Sequence, residues 1–424
     1  MGVASGISLS CGGGCSVADR GQGRCDGGME KKLHRLLAEA VVGILREVFE
    51  QGAVADRAVG RVLGNHPKWG KRDRALVAES VYEVVRWRRR LEVLAGSGEV
   101  WAVAGFWWEQ QGYARPEWAQ WPVVETDVKA VRELGAVGES RAVRESLSDE
   151  LDVLGEMELG AKWARELAAM NQAAPVFLRV NPRRGKLLDL QAELAAEGVM
   201  VDAVEGCPWG LRVLAGRAIS RQWRERGRFE IQDAGSQQVA PFCEVKAGMR
   251  VVDACAGAGG KTLHLAALME GHGDLLALDV LERKLETLRG RAARATVKVR
   301  TGIFSDAVVE RNRGLADRVL VDAPCSGSGT LRRQADLKYR ITAEGVAAVR
   351  AVQREVLAKS ARMVRVGGKL VYATCSVFPS ENEAQAAWFS AEHAGFVFEE
   401  ERRISPAEMG WDGFYMARWR RVEI

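Results

Sequence analysis

The sequence lacks the features of a membrane-spanning or secreted protein. None of its apolar runs reaches the roughly 18 residues that a transmembrane helix requires. Its first residues lack the basic segment and long apolar core of a signal peptide. With 47% apolar and 28% charged residues in 424 positions, the composition is typical of a globular protein of several domains. We therefore expect a cytoplasmic protein with no membrane partner.

Cys-x-x-Cys pairs are also missing. The eight cysteines stand at positions 11, 15, 25, 207, 243, 255, 325 and 375, and none forms a Cys-x-x-Cys pair. This spacing fits neither a zinc site nor a disulfide framework, so we predict no metal site. The first three lie in a Gly- and Ser-rich leader, residues 1–28, whose composition predicts disorder.

A strong charge of either sign is absent as well. The net charge of +5, from 61 basic and 56 acidic residues, does not by itself indicate a nucleic-acid partner. Basic clusters with neighbouring tryptophans suit phosphate contacts and base stacking, although a solvated helix face is the simpler interpretation of each cluster alone. The clusters are Lys71–Arg74, Arg86–Arg90, Arg183–Lys186, Arg217–Arg228 and Arg418–Arg421.

The first third of the chain has helical periodicity. Apolar residues recur three and four positions apart from about Lys31, and a second helix is predicted from about Lys71 to Leu94. Five tryptophans in the segment 101–121 are expected to pack inside this module. We predict an all-α domain over residues 30–150. Shorter helices are predicted at Val128–Glu133 and Leu159–Met170.

The rest of the chain mixes strands and helices. Residues 151–229 predict a small α+β domain, with strands at Val176–Asn181, Val199–Val204 and Gly210–Val213 and a helix at Lys186–Glu197. In residues 230–424 strands and helices alternate, which predicts an α/β domain with a parallel sheet. Its predicted strands are Arg250–Asp253, Asp274–Asp279, Thr296–Val299, Arg318–Val321 and Lys369–Ala373.

A glycine-rich loop, VVDACAGAGGKT (Val251–Thr262), follows the first strand of the α/β domain. It does not fit a P-loop, which needs a glycine at the position that Cys255 occupies. It does not fit the dinucleotide fingerprint either, which needs a third small residue at the position that Thr262 occupies. Asp279 ends the next strand, where a carboxylate can accept hydrogen bonds from both hydroxyls of a ribose. The loop and this acid together predict a cofactor that contains a nucleoside.

Two cysteines follow two later strands of the same sheet. One strand ends in Asp322-Ala323-Pro324-Cys325, and another ends before Cys375 in LVYATCS. Ligands bind at the carboxyl edge of open α/β sheets. A lone free cysteine is more often a small buried apolar residue, but two thiols at two strand ends indicate thiol chemistry.

Three segments, DACAGAGGKT, DAPCSGSGTLRR and ATCSVFPSENE, resemble the Sun/RsmB family of S-adenosylmethionine-dependent RNA cytosine-C5 methyltransferases. The segments EIQDAGSQQVAP, DLKYR and GWDGFYMARWRR are similar to the family as well. The helical segment RDRALVAESVYEVVRWRRRL resembles the NusB-type RNA-binding domain of bacterial members. The resemblance runs from about Lys31 to the end and implies a NusB-like domain, a small α+β linker domain and a Rossmann-like methyltransferase domain.

The resemblance also implies where S-adenosylmethionine binds. Asp279 would contact the cofactor, and Asp322 would lie near both cofactor and target base. The usual proline of the family's loop is replaced here by Ala258, and the family's acid after the third strand by Ile303, with Asp306 the nearest candidate for the adenine contact. The implied loop residues are Cys255, Ala256, Gly257, Ala258, Gly259, Gly260 and Lys261.

The same resemblance implies separate roles for the two thiols. Cys375 would add to carbon 6 of cytosine, which makes carbon 5 nucleophilic, while Asp322 assists at N3. Cys325 would help to release the product, although DNA cytosine methyltransferases use the cysteine after proline as the attacker. Residues 381–383 are expected to fix the loop after Cys375. The residues expected to contact the RNA backbone are Arg332, Arg333 and Lys338.

The implied partner is RNA, with ribosomal RNA favoured over transfer RNA, and we expect a monomer. Another class of nucleoside-cofactor methyltransferase, such as one acting on DNA, is an alternative, but it does not account for the paired thiols of DAPCS and ATCS together with the helical N-terminal domain. A catalytically inactive RNA-binding assembly factor is another. The presence of Asp279, Asp322 and both cysteines argues against it.

Overall fold

The computed structural model describes residues 31–119, 121, 140–216 and 219–423. These residues form two compact units, one made of 31–154 with 331–340 and the other of 155–330 with 341–423. The predicted leader and the predicted helix Val128–Glu133 lie outside the described residues.

The first unit is helical. The predicted second helix is interrupted at Trp87, whose backbone (φ −110°, ψ 18°) leaves the helical range, so that two helices replace one. The tryptophans pack inside the unit as predicted: Trp108 and Trp121 are buried with ring centroids 5.7 Å apart. The helices are Arg35–Gln51, Ala55–Asn65, Lys71–Arg86, Arg88–Ala95, Val100–Gln110 and Arg141–Arg144. A further helix, Asp149–Leu159, contains the limit between the units.

Residues 331–340 belong to this helical unit although they follow Cys325 in the chain. Their 3-10 turn, Ala335–Tyr339, buries Lys338, whose Nζ donates to the carbonyl oxygens of Arg86 (2.9 Å) and Glu145 (3.0 Å). Burial lowers the pKa of Lys338 well below its usual value. The predicted contact of Lys338 with RNA is therefore wrong, because its ammonium group is already enclosed by main-chain acceptors.

The second unit begins with a small antiparallel sheet. Its strands are β1 Val176–Val180, β2 Val199–Ala203, β3 Gly210–Gly216 and β4 Phe229–Ile231, in the order β2-β3-β1-β4. The accompanying helices are Trp163–Met170, Leu187–Ala196 and Arg221–Glu225.

A seven-stranded sheet forms the larger part of the second unit. The strands lie in the order β10-β11-β9-β8-β5-β6-β7. The five neighbouring strands β9, β8, β5, β6 and β7 are parallel, and β11 is antiparallel to both of its neighbours, β10 and β9. The strands are β5 Arg250–Asp253, β6 Asp274–Asp279, β7 Arg300–Ile303, β8 Ala316–Asp322, β9 Val364–Thr374, β10 Phe396–Ile404 and β11 Phe414–Arg421. The helices are Ala234–Phe242, Gly260–Leu268, Glu282–Ala295, Asp306–Arg311, Ala343–Ala361, Glu383–Glu392 and Pro406–Met409. The predicted multidomain fold class is confirmed: an N-terminal helical region is followed by a small α+β region and a Rossmann-like α/β region.

The third strand of this sheet differs from the prediction. The predicted strand, Thr296–Val299, ends the preceding helix instead: Thr296 takes a left-handed conformation (φ 55°), and the Val297 amide donates back to the Ala292 carbonyl. The strand β7 starts only at Arg300. Strands β10 and β11 were not predicted.

Strand register brings the predicted site to one edge of the sheet. Asp253 of β5 pairs with Leu320 of β8, and Asp322 of β8 pairs with Ala373 of β9. The strand order reverses between β5 and β8, which is where open α/β sheets bind ligands. No helix among the described residues is both long and apolar enough to cross a membrane.

Candidate active site

The glycine-rich loop is held tightly on one side and open on the other. Gly257 (φ 55°) and Gly259 (φ 93°) take conformations that favour glycine. A Cβ atom on Gly259 would lie 2.7 Å from Cγ of Leu288, whereas one on Gly257 would meet nothing within 4 Å. The loop thus packs on the helix Glu282–Ala295 and leaves space over Gly257 for a ligand.

The Asp279 carboxylate closes this loop from the end of β6. Its Oδ2 accepts from the Gly257 amide and its Oδ1 from the Leu281 amide, both at 2.9 Å. The Lys284 ammonium group lies 3.5 Å from Oδ2. Because each carboxylate oxygen can accept a further hydrogen bond, Asp279 retains acceptor capacity for the ribose hydroxyls that the sequence predicts.

Two arginines outside the predicted site hold the loop carbonyls. Arg291 donates to the carbonyl oxygen of Ala258 (2.8 Å) and to Glu230 (2.7 Å). Arg179, on β1, donates to the Gly260 carbonyl (3.3 Å), and burial lowers its pKa to about 10. Sequence reasoning missed both roles; an arginine inside the otherwise apolar strand VFLRV was the available signal.

Asp253 is a further residue that the sequence reasoning missed. It ends β5 beneath the glycine loop, is fully buried and accepts from the Thr262 hydroxyl at 2.7 Å. Burial raises its pKa to about 7. Cys255 follows in the loop as a thiol whose pKa burial raises as well. An acid that ends the strand before such a loop was the signal for Asp253.

The glycine loop meets the Asp322 loop through an ion pair. The Nζ atom of Lys261 lies 2.7 Å from Oδ2 of Asp322 and 5.0 Å from the Phe414 ring centroid. Burial alone would lower the pKa of Lys261, but the neighbouring Asp322 carboxylate outweighs it and the pKa lies above its usual value. Lys261 is therefore a cation fixed beside Asp322.

The two predicted thiols are in contact. Sγ of Cys325 lies 3.3 Å from Sγ of Cys375, and both residues are half-buried. The hydrogen bond with Cys375, then burial, and then electrostatic interactions with Cys375 and Glu381 raise the pKa of Cys325 well above its usual value. Cys325 is therefore a neutral thiol in this arrangement.

The Asp306 side chain pairs with a lysine outside the glycine loop. Asp306 begins the helix Asp306–Arg311, its side chain is exposed, and its ion-pair partner is Lys359 at 3.2 Å. Among the described residues, its carboxylate forms no hydrogen bond or ion pair with the glycine loop. Among those residues, no group of three or more His, Cys, Asp and Glu side chains is placed to hold a metal ion.

The comparisons with known proteins agree on one family. A family model described as 16S rRNA methyltransferase RsmB/F matches residues 242–420, and one described as an RsmF/B-like ferredoxin-like domain matches residues 156–220. A probable ribosomal RNA small subunit methyltransferase B from Synechocystis sp. is 30% identical over 419 residues, which cover 86% of this chain and 91% of that protein. The chain belongs to the RsmB/F methyltransferase family.

A second relative matches part of the chain, and a solved structure matches nearly all of it. A probable ribosomal RNA small subunit methyltransferase B from Bacillus subtilis is 31% identical over 267 residues, 58% of this chain and 59% of that protein. The crystal structure of PH0851 has a TM-score of 0.74 at 21% identity and covers 93% of this chain and 100% of its own, which shows a shared fold. The cofactor of this RsmB/F methyltransferase is S-adenosylmethionine. The open space over Gly257 and the acceptors of Asp279 fit its nucleoside part.

Proposed function

We propose that this RsmB/F methyltransferase methylates carbon 5 of cytosine in small-subunit ribosomal RNA. The observation that carries the proposal is the contact of the Cys325 and Cys375 thiols, 3.3 Å apart, on the sheet edge that also holds the Lys261–Asp322 ion pair. Carbon 5 of cytosine is a weak nucleophile, and a thiol adding to the ring is a chemical way to activate it. The names of the relatives support ribosomal RNA as the substrate class.

S-adenosylmethionine, when bound, supplies an electrophilic methyl group. We assign its binding to the loop residues 255–261 and to Asp279. The Asp279 carboxylate would accept from the ribose hydroxyls, and the open space over Gly257 would admit the nucleoside. Asp306, with its exposed carboxylate, stays our candidate for the adenine contact.

Cys375 is our candidate nucleophile. Its sulfur would form a bond to carbon 6 of the ring as the thiol proton passes by way of the Asp322 carboxylate to N3, which makes carbon 5 nucleophilic. After carbon 5 has gained the methyl group, its proton leaves to a base, and the electron pair of that C–H bond re-forms the ring double bond. In the same step the sulfur–carbon bond breaks with its electron pair returning to Cys375, and N3 loses its proton. The Cys325 thiol, held neutral beside it, is our candidate for assisting this release.

We propose that the predicted domains have separate roles in RNA binding and catalysis. Residues 30–150, with their NusB-like character, and residues 151–229 would bind RNA, and residues 230–424 would carry catalysis. We also propose that the protein acts as a monomer in the cytoplasm. Light scattering of the purified chain with and without RNA would test the monomer.

The proposed function is tested with the purified chain, labelled S-adenosylmethionine, and ribosomal or transfer RNA from a strain that lacks the gene. We expect label in small-subunit ribosomal RNA and one protected cytosine in bisulfite sequencing. Label in transfer RNA alone would replace the substrate. Cofactor binding in a calorimetric titration without label in any RNA would favour an inactive assembly factor.

A further inference from the structure

Glu381 lies between the two cysteine loops. It ends the 3-10 turn Pro379–Glu381, six residues after Cys375, and its side chain is fully buried. Its backbone is fixed as well, because its carbonyl oxygen accepts from the Tyr372 hydroxyl at 2.7 Å. A buried carboxylate requires several donors to offset its desolvation, and this one has them.

Three of the four hydrogen bonds to the carboxylate come from the residues that directly follow the two cysteines. Ser326, after Cys325, donates its amide (2.8 Å) and its hydroxyl (2.5 Å) to the Glu381 carboxylate. Ser376, after Cys375, donates its hydroxyl at 2.5 Å. Gln353, on the helix Ala343–Ala361, adds a fourth hydrogen bond at 3.1 Å. One carboxylate therefore ties together the two loops whose thiols are in contact.

Charged groups act on both thiols. The Glu381 carboxylate interacts with Cys325 and helps to raise the pKa of that thiol, after the hydrogen bond with Cys375 and burial. The Lys261 ammonium group interacts with Cys375. Glu381 therefore influences Cys325 electrostatically as well as through the Ser326 amide and hydroxyl that follow this cysteine.

We propose that Glu381 is a positioning residue that holds the two cysteine loops together, so that Cys375 attacks and Cys325 assists release. Its negative charge also favours the protonated form of Cys325. This inference deepens the proposed function and rests on it. Glu381 itself, enclosed by Ser326, Ser376 and Gln353, acts through the cysteines rather than on the substrate.

The first test needs neither RNA nor cofactor. In a Cys375→Ala background, the hydrogen bond and other interactions of the Cys375 thiol are gone, so Glu381→Gln isolates the effect of the Glu381 charge on Cys325. Alkylation of Cys325 by iodoacetamide is followed against pH by peptide mass mapping, which separates it from the other cysteines. We expect the profile to move to lower pH with Glu381→Gln, with about tenfold more thiolate at neutral pH for each unit of pKa lost. Glu392→Gln, an exposed glutamate at the end of the next helix, should leave the profile in place.

The second test follows turnover in the otherwise unchanged chain. Glu381→Gln should lower kcat by about 10²-fold, the effect of a misplacement of about 1 Å, with little change in KM for RNA. A covalent protein–RNA adduct should accumulate on a denaturing gel, which loss of folded protein alone would not produce. An unmoved alkylation profile together with undiminished kcat in folded Glu381→Gln would overturn the inference.

The two hypotheses fail in different ways. If the unchanged chain methylates no RNA, the proposed function fails, whereas the alkylation profile still reports on Glu381. If Glu381→Gln does not fold, Ser326→Ala and Ser376→Ala each remove a donor to the carboxylate and should raise adduct levels. Adduct levels unchanged in both serine variants would overturn the inference.

Discussion

Lys261 and Asp322 form an ion pair, 2.7 Å long, that joins the glycine loop after β5 to the Asp-Ala-Pro-Cys loop after β8. The first loop is the proposed cofactor site and the second reaches Cys325. The ion pair therefore couples the position of the cofactor loop to that of the thiols, and each side can be tested by substitution.

Cys375→Ala should lower methylation by at least about 10³-fold, because the nucleophile is removed. Binding of S-adenosylmethionine, measured by calorimetry, should stay unchanged, since Cys375 lies outside the glycine loop. Cys207→Ala, which removes another buried thiol, is the control and should remain active. Appreciable turnover by Cys375→Ala would reject Cys375 as the nucleophile.

Cys325→Ala should accumulate a covalent protein–RNA adduct, because the thiol beside the Cys375 sulfur would no longer assist release. The adduct is measured as a band of reduced mobility on a denaturing gel, and nuclease treatment should remove it. If Cys375→Ala accumulates the adduct and Cys325→Ala does not, the two thiols have exchanged roles.

Asp279→Ala should weaken binding of S-adenosylmethionine by about 1–3 kcal/mol, the cost of leaving polar groups without partners. The matched control is Asp274→Ala, at the opposite end of β6, where the carboxylate pairs with Arg300 at 2.6 Å. Calorimetry of both variants separates a local contact from a general effect on the strand. Equal affinities for Asp279→Ala and the unchanged chain would place the ribose elsewhere.

Asp253 should make stability depend on pH. Its pKa rises from 3.8 in the unfolded chain to about 7 in the fold, so the folded state binds its proton more tightly. This group therefore lowers the free energy of unfolding as pH rises from about 4 to about 7, by up to about 4 kcal/mol at 1.36 kcal/mol per pKa unit. Asp253→Asn does not titrate, so its stability relative to the unchanged chain should increase over this range.

Denaturant unfolding of both proteins at pH 5 and pH 8 measures this difference. Asparagine keeps an acceptor for the Thr262 hydroxyl, so any constant cost of the substitution cancels between the two pH values. Asp202→Asn, on the exposed face of β2, serves as the control. The two proteins are compared by the difference between their free energies of unfolding. If this difference is the same at pH 5 and pH 8, the prediction is contradicted.

Much of the sheet could be predicted because its central strands are buried on both faces. Strands β5 and β6 have the predicted limits, since continuous apolar runs there end in Asp253 and Asp279. The strand β10 could not be predicted, because its sequence, FVFEEERRI, carries charges that suit an exposed edge. The limits of β7 were missed because Thr296 and Val297 have strand-like propensity but complete the preceding helix.

The candidate active site, like the sheet, could be predicted only in part from the sequence. Local motifs identified the glycine loop, Asp279, Asp322 and both cysteines, because each lies at the end of an apolar strand or shortly after it. The 3.3 Å contact between the thiols depends on the pairing of Asp322 with Ala373 across two strands, which no local pattern encodes. The sequence by itself determined which chemical groups end these strands. Only the tertiary structure decided that Glu381 lies under both cysteine loops and that Lys338 is enclosed, because both depend on contacts between segments distant in the chain.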